Sequence, residues 1–173
     1  MIRATGCNAL GRQPARSSPS SHRAVLLQPQ PQRLDRNRYQ VGLDIFLEAD
    51  ALLTIRKLEQ AAIMAGASEV RVENDELTAL FASGLTLWTV DKRDDVRLCA
   101  EDTRGLAFPV GKLCHLRIKG AGADETCPFS EIDRLARSIA QACPSSFIIS
   151  FQFEQTLYWR DKTGLHGREE PTR

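Results

Sequence analysis

The residues best equipped for chemistry in this 173-residue chain are its cysteines and histidines, a few clustered cations, and one aromatic segment. Cys99, Cys114, His115, Cys127, Cys143 and His166 are the candidate metal ligands. A structural zinc site brings two close pairs such as C-x-x-C, because two short loops must converge on one tetrahedron. No such pair occurs here, and adjacent Cys114 and His115 project to opposite faces if they lie on a strand. The expectation is therefore free, packed cysteines, no metal and no cofactor. Cys127 has a second claim, because it precedes a helix start whose dipole would favour a thiolate. A cysteine-dependent enzyme would also need His115 or His166 beside it as a base. No catalytic signature surrounds Cys127, so no catalytic residue is assigned.

Phosphate binding and acid–base catalysis have weaker support. The run Gly120-Ala121-Gly122-Ala123 has the small residues of a phosphate cradle, but not GxGxxG and not the Walker lysine and serine. The acidic pairs Asp94-Asp95, Glu101-Asp102, Asp124-Glu125 and Glu169-Glu170 fall at turns or ends, where carboxylates favour solvent.

Two surface readings are stronger. His115, Arg117 and Lys119 alternate with Cys114, Leu116 and Ile118, so a strand would carry the three basic groups on one face. With Arg97 beside them they would form a stripe able to contact phosphates, and hence a nucleic-acid interface. The segment Leu157-Tyr158-Trp159-Arg160 concentrates the residue types enriched at protein-interface hot spots. In a strand Tyr158 and Arg160 face one way, and Leu157 and Trp159 the other.

Elements must hold these groups in place. Tyr39, Val41, Leu43, Ile45 and Leu47 recur at period two, which predicts a strand; Asp50 then caps a helix over 51–65 that Gly66 stops. Short strands follow at about 70–73, 77–82, 85–90, 96–100, 106–110 and 113–118, separated by turn residues such as Asn74-Asp75 and Ser83-Gly84. A second helix starts at Ser130 with an apolar face of Ile132, Leu135, Ala136, Ile139 and Cys143, and Pro144 ends it. Residues 147–160 read as one further strand, followed by a turn at 161–164 and a loose end over 166–173.

The chain divides by composition. Residues 1–36 hold six arginines, one acid, four of the eight prolines and the tracts Ser17-Ser18-Pro19-Ser20-Ser21 and Gln28-Pro29-Gln30-Pro31-Gln32. This basic segment buries too little apolar surface to form a core and reads as a disordered tail. The remaining 17 basic and 21 acidic residues give 37–173 a net charge of −4. The tail suits either a cytoplasmic protein with a polar extension or, as Arg- and Ser-rich and acid-poor sequence, a transit peptide to an organellar matrix. No apolar run approaches the ~18 residues that span a bilayer, so no membrane partner is expected.

Together these features predict an α+β fold over 37–165: a two-layer sandwich with a mostly antiparallel sheet and two helices on one face. The outline resembles a ferredoxin-like arrangement with an enlarged meander, a likeness of architecture that implies no activity. The expected function is a small non-enzymatic module, regulatory or inhibitory, that binds another protein through an exposed sheet face or edge using Tyr158, Trp159 and Arg160. Nucleic-acid binding through Arg97, His115, Arg117 and Lys119 is the alternative, and a Cys127 enzyme the third.

Overall fold

The computed structural model describes residues 42–90, 97–118 and 127–167. The tail at 1–36, Tyr39, Val41, the turn at 92–95, Lys119, the 120–124 loop and residues 168–173 lie outside the described residues.

The described chain is one antiparallel sheet of eight strands with two helices packed on it. In chain order the elements are β1 (Leu43–Ala49), α1 (Ile55–Met64), β2 (Ala67–Glu73), β3 (Glu76–Phe81), β4 (Leu85–Val90), β5 (Lys112–Ile118), α2 (Pro128–Ala142), β6 (Phe147–Phe151), β7 (Gln155–Asp161) and β8 (Gly164–Gly167). The strand order is β2-β3-β4-β5-β1-β6-β7-β8, so β1 runs through the middle between β5 and β6. The α+β sandwich is the expected one.

Period-two patterning assigns the faces. Ile45, Leu47, Leu77, Ala79, Phe81, Leu85, Leu87, Cys114, Leu116, Phe147 and Ile149 form the inner face and are buried against Leu58, Ala61 and Ala62 of α1 and Ile132, Leu135, Ala136 and Ile139 of α2. The helices lie side by side, α1 toward β2 and β3 and α2 toward β7 and β8. Arg134 Nε of α2 donates to Ala65 O at 3.0 Å, just past the end of α1. Buried Glu131 accepts from Ser83 N and Ser83 Oγ, fastening the β3–β4 turn to the first turn of α2.

Several elements differ from the sequence-based expectation. The first helix starts at Ile55, capped by Thr54 Oγ1, which accepts from Lys57 N. Asp50 is occupied elsewhere: its carboxylate accepts from Leu52 N, Ser145 Oγ and Ser146 N, joining the end of β1 to the start of β6. Helix α2 starts at Pro128 rather than Ser130, because proline at the first helical position needs no N–H partner and has φ already set. Residues 97–111 form no strand; Arg104 and Gly105 both take positive φ, which breaks any ladder there.

The single strand expected over 147–160 is a hairpin. Gln152 and Phe153 adopt φ of 51° and 64° at its turn, without the glycine or asparagine that usually marks such a site. Residues 164–167, from the last turn residue into the expected loose end, form edge strand β8.

Candidate functional site

The side of the sheet opposite the helices carries an unusual run of rings. Phe46 on β1, Trp88 on β4, and His115 on β5 occupy the outward phase of their strands, and Phe153 reaches the same face from the β6–β7 turn. Phe46 pairs with His115 across β1 and β5, and His115 with Trp88 across β5 and β4. Adjacent strands lie about 4.8 Å apart, so rings on paired residues stack if their planes stand upright from the sheet. They do. Phe153 and Phe46 are nearly parallel at a 3.8 Å centroid distance, Phe46 and His115 at 4.7 Å, and Trp88 closes the row, tilted by 54° at 4.2 Å from His115. All four are half-buried. The result is a ribbon of rings running from β4 across β5 and β1 to the β6–β7 turn.

Charge on this ribbon is locally balanced. His115 Nε2 lies 2.8 Å from Asp44 Oδ1, two residues before Phe46 on the same face. Arg117 Nε approaches the same oxygen at 3.9 Å. One carboxylate thus faces two of the basic groups expected to form a stripe. Toward the β2 edge the outward positions are Glu69, Arg71 and Glu73 on β2 and Glu76, Thr78 and Leu80 on β3, all exposed. Arg71 pairs with Glu69. The face as a whole therefore carries more carboxylates than cations.

The other flank is covered. Residues 97–111 cross over the ends of β1, β6 and β7, and five of their backbone groups find partners on the sheet. Glu48, only 1% exposed, accepts from Cys99 N at 2.7 Å and Ala100 N at 2.9 Å. Glu101 N donates to Phe153 O, Thr156 Oγ1 to Asp102 O, and Gly111 N to Ala49 O. Two backbone amides on one buried carboxylate satisfy a charge that would otherwise be costly to bury. Gly111 also passes so close to Ala51 that a Cβ there would lie 2.6 Å from its backbone, which explains glycine at that position.

The expected interface residues divide between the two sides, as strand alternation requires. Tyr158 packs against the helix-side core, and Arg160 Nη1 donates to Ser145 O at 3.1 Å. Trp159 faces outward, stacked on His166 at 5.0 Å with the Arg104 guanidinium 4.9 Å over its ring. Leu157 does not share its side: a register shift in the β6–β7 pairing puts Leu157 in the core cluster. His166 also approaches Asp161 Oδ1 at 3.1 Å, and hydrogen bonds from Thr163 and His166 hold the Asp161 carboxyl well below the usual carboxylate range.

The nucleic-acid set is likewise separated. His115 and Arg117 share the outer face, but Arg97 lines a cavity of about 1050 Å³ beyond the other end of β5, among Arg56, Lys112, Asp75 and Glu76. Lys119 is outside the described residues. Cys127 is the N-cap of α2, and backbone N–H groups of Ser130 and Phe129 lower its thiol pKa. Neither histidine hydrogen-bonds to it: His115 is tied to Asp44 and His166 to Asp161 and Thr163. Burial pushes Cys114 up to about 12. Among the described residues no three His, Cys, Asp or Glu side chains gather as a metal site, and no helix is long and apolar enough to cross a membrane.

Sequence reading missed the ribbon because its members are 27 to 107 positions apart in pairs and meet only through the strand order β4-β5-β1-β6. One signal was present: Phe46 is a large aromatic between Asp44 and Glu48 on the otherwise polar phase of β1. Comparison with known protein families, curated proteins and solved structures finds no match to this chain.

Proposed function

We propose that this chain is a non-enzymatic protein-binding module whose partner docks on the outer face of the sheet, over β3, β4, β5 and β1. The observation that carries this reading is the half-exposed ring ribbon Trp88–His115–Phe46–Phe153 on a face that no described helix covers. Aromatic side chains supply much of the energy of protein interfaces. Rings already stacked on one another have little rotamer freedom left to lose when a partner arrives.

The same geometry disfavours nucleic acid. Base recognition without sequence preference uses free ring faces, and both faces of Phe46 and one of His115 are taken by neighbouring rings. Phosphate contact needs unpaired clustered cations, whereas His115 and Arg117 converge on Asp44.

The test is affinity capture from nuclease-treated host lysate with the full chain and with its Phe46→Ala/Trp88→Ala variant, read by mass spectrometry. The expected result is a stoichiometric protein held by the wild type and lost by the variant, with the variant's circular dichroism unchanged. A partner retained equally by both, or enrichment that vanishes on nuclease treatment alone, would overturn the reading.

A further inference from the structure

The two edges of the sheet are unlike. At one end β8 has four residues, two of them glycine, a short edge that offers little to a further strand. At the other end β2 has seven residues with no proline and no glycine, and among the described residues nothing pairs with its outer side. Asn74 and Asp75 take φ of 50° and 65°, the geometry of a two-residue type I′ turn, so Glu73 and Glu76 close the β2–β3 hairpin as a hydrogen-bonded pair. Alternation then aims the backbone N–H and C=O groups of Arg71 and Glu73 at β3, and those of Val70 and Val72 away from the sheet. Such outward groups on an edge strand are a template for another strand.

The side chains decide which strand fits. Glu69, Arg71 and Glu73 line one face of β2, with Val70 and Val72 on the other, and all but Val70 are exposed. An antiparallel copy of β2 centred on Val70 pairs residues 68–72 of the two strands. Val70 then meets Val70 of the second copy as a hydrogen-bonded pair. On both sides of that axis Glu69 meets Arg71 in the non-hydrogen-bonded positions, where opposed side chains lie closest and opposite charges attract. An axis at Arg71 would oppose that arginine to itself and Glu69 to Glu73, while an axis at Val72 would pair only residues 71–73 of the strand. We propose that β2 pairs edge to edge with β2 of a second copy of this chain, antiparallel about Val70, joining the two sheets. The Glu69–Arg71 pair within one strand is exposed, so exchanging it for the same pair between strands costs little. The inference does not depend on the sheet-face reading, because the edge of β2 carries none of the stacked rings.

The full chain is followed by sedimentation velocity from about 1 to about 500 µM, since association depends on concentration. The wild type should move from the 19.3 kDa monomer toward twice that mass. Arg71→Glu opposes two acids on each side of the axis and should weaken association at least about tenfold. Glu69→Arg/Arg71→Glu restores opposite charges in reversed order and should recover it to within about threefold of the wild type. Val70→Pro removes the N–H at the axis, which bonds nothing within the hairpin, and should weaken association about as much as Arg71→Glu with unchanged circular dichroism. A wild type monomeric throughout, association indifferent to Arg71→Glu, or a reversed pair that fails to recover it would each overturn the proposal. Phe46→Ala/Trp88→Ala should leave association intact; its loss in that variant would place the self-contact on the sheet face and overturn the edge pairing. Loss of a captured partner in the same variant tests only the sheet-face reading, so the two fail separately.

Discussion

The two flanks of the outer sheet face have opposite fates. Over β6, β7 and the C-terminal end of β1, residues 97–111 cross the sheet and are fixed by Glu48, the Phe153 carbonyl and Thr156. Over β3, β4 and β5, Thr78 and Leu80 are exposed and Thr86 and Trp88 partly exposed. An irregular segment brings unpaired backbone groups with it, so it can cover a sheet only where the sheet supplies partners for them. Glu48 is such a partner, a buried charge whose two oxygens meet two amides. Among the described residues the open flank offers no equivalent buried acceptor, and its outward groups include rings, short hydroxyls and exposed carboxylates.

The sharpest way to break this contrast is to undo the covering. Glu48→Ala leaves two amides without their charged acceptor, and should cost about 3 kcal/mol of stability in chemical denaturation. Amide exchange at Cys99 and Ala100 should rise with it, while β3 and β4 change little. If the exchange of those two amides is unaffected, the clamp is not what holds the segment.

Phe46→Ala should cost less, about 1–2 kcal/mol, because a half-buried ring loses its two stacking partners but little core area. A loss as large as that of Glu48→Ala would mean the ribbon is part of the core rather than a presented surface.

The β7–β8 hairpin adds a pH test on the covered side. Asp161 has a depressed pKa in the fold, caused first by hydrogen bonds from Thr163 and then from His166. A depressed folded value favours the folded state above the unfolded carboxylate pKa of about 4, and that contribution is lost as pH falls through the folded value. The Trp159–His166 contact should therefore weaken only in strong acid, and Asp161→Asn should remove that acid dependence. Side-chain NMR of His166 between pH 7 and pH 2 reads it. An acid dependence unchanged in the Asp161→Asn chain contradicts the assignment.

The smallest effect separates the two faces of β5. Cys114 points inward with a thiol at about 12, so at pH 8 roughly one in ten thousand is thiolate. Exposed Cys127, with its pKa lowered, should react with iodoacetamide first and Cys114 only after unfolding. Early labelling of Cys114 would mean β5 does not present the faces described.

These contrasts also show what the sequence made legible. Asn74-Asp75 and Ser83-Gly84 mark their turns by residue type, so the hairpins they close could be read directly, whereas the turn at 161–164 was legible but the short strand β8 after it was not. The turn at Gln152-Phe153 uses two residues that rarely take positive φ, and left no mark; one long strand was the natural reading. Residues 97–111 alternate short apolar and polar groups well enough to suggest strands, yet their amides are satisfied by Glu48 and the Phe153 carbonyl instead of a neighbouring strand. The candidate site was least legible. His115 and Arg117 were correctly placed on one face, but their neutralisation by Asp44 depends on which strand pairs with β5, and periodicity carries no information about strand order.

A rival surface exists on the helix side, where Ile63 and Met64 of α1 are 58% and 50% exposed. Hydroxyl-radical footprinting of the chain alone and in its captured complex would distinguish the two surfaces directly. The docking account predicts that Trp88, Phe46 and Leu80 lose reactivity in the complex while Ile63 and Met64 do not. Protection of Ile63 and Met64 with Trp88 and Phe46 unchanged would contradict it.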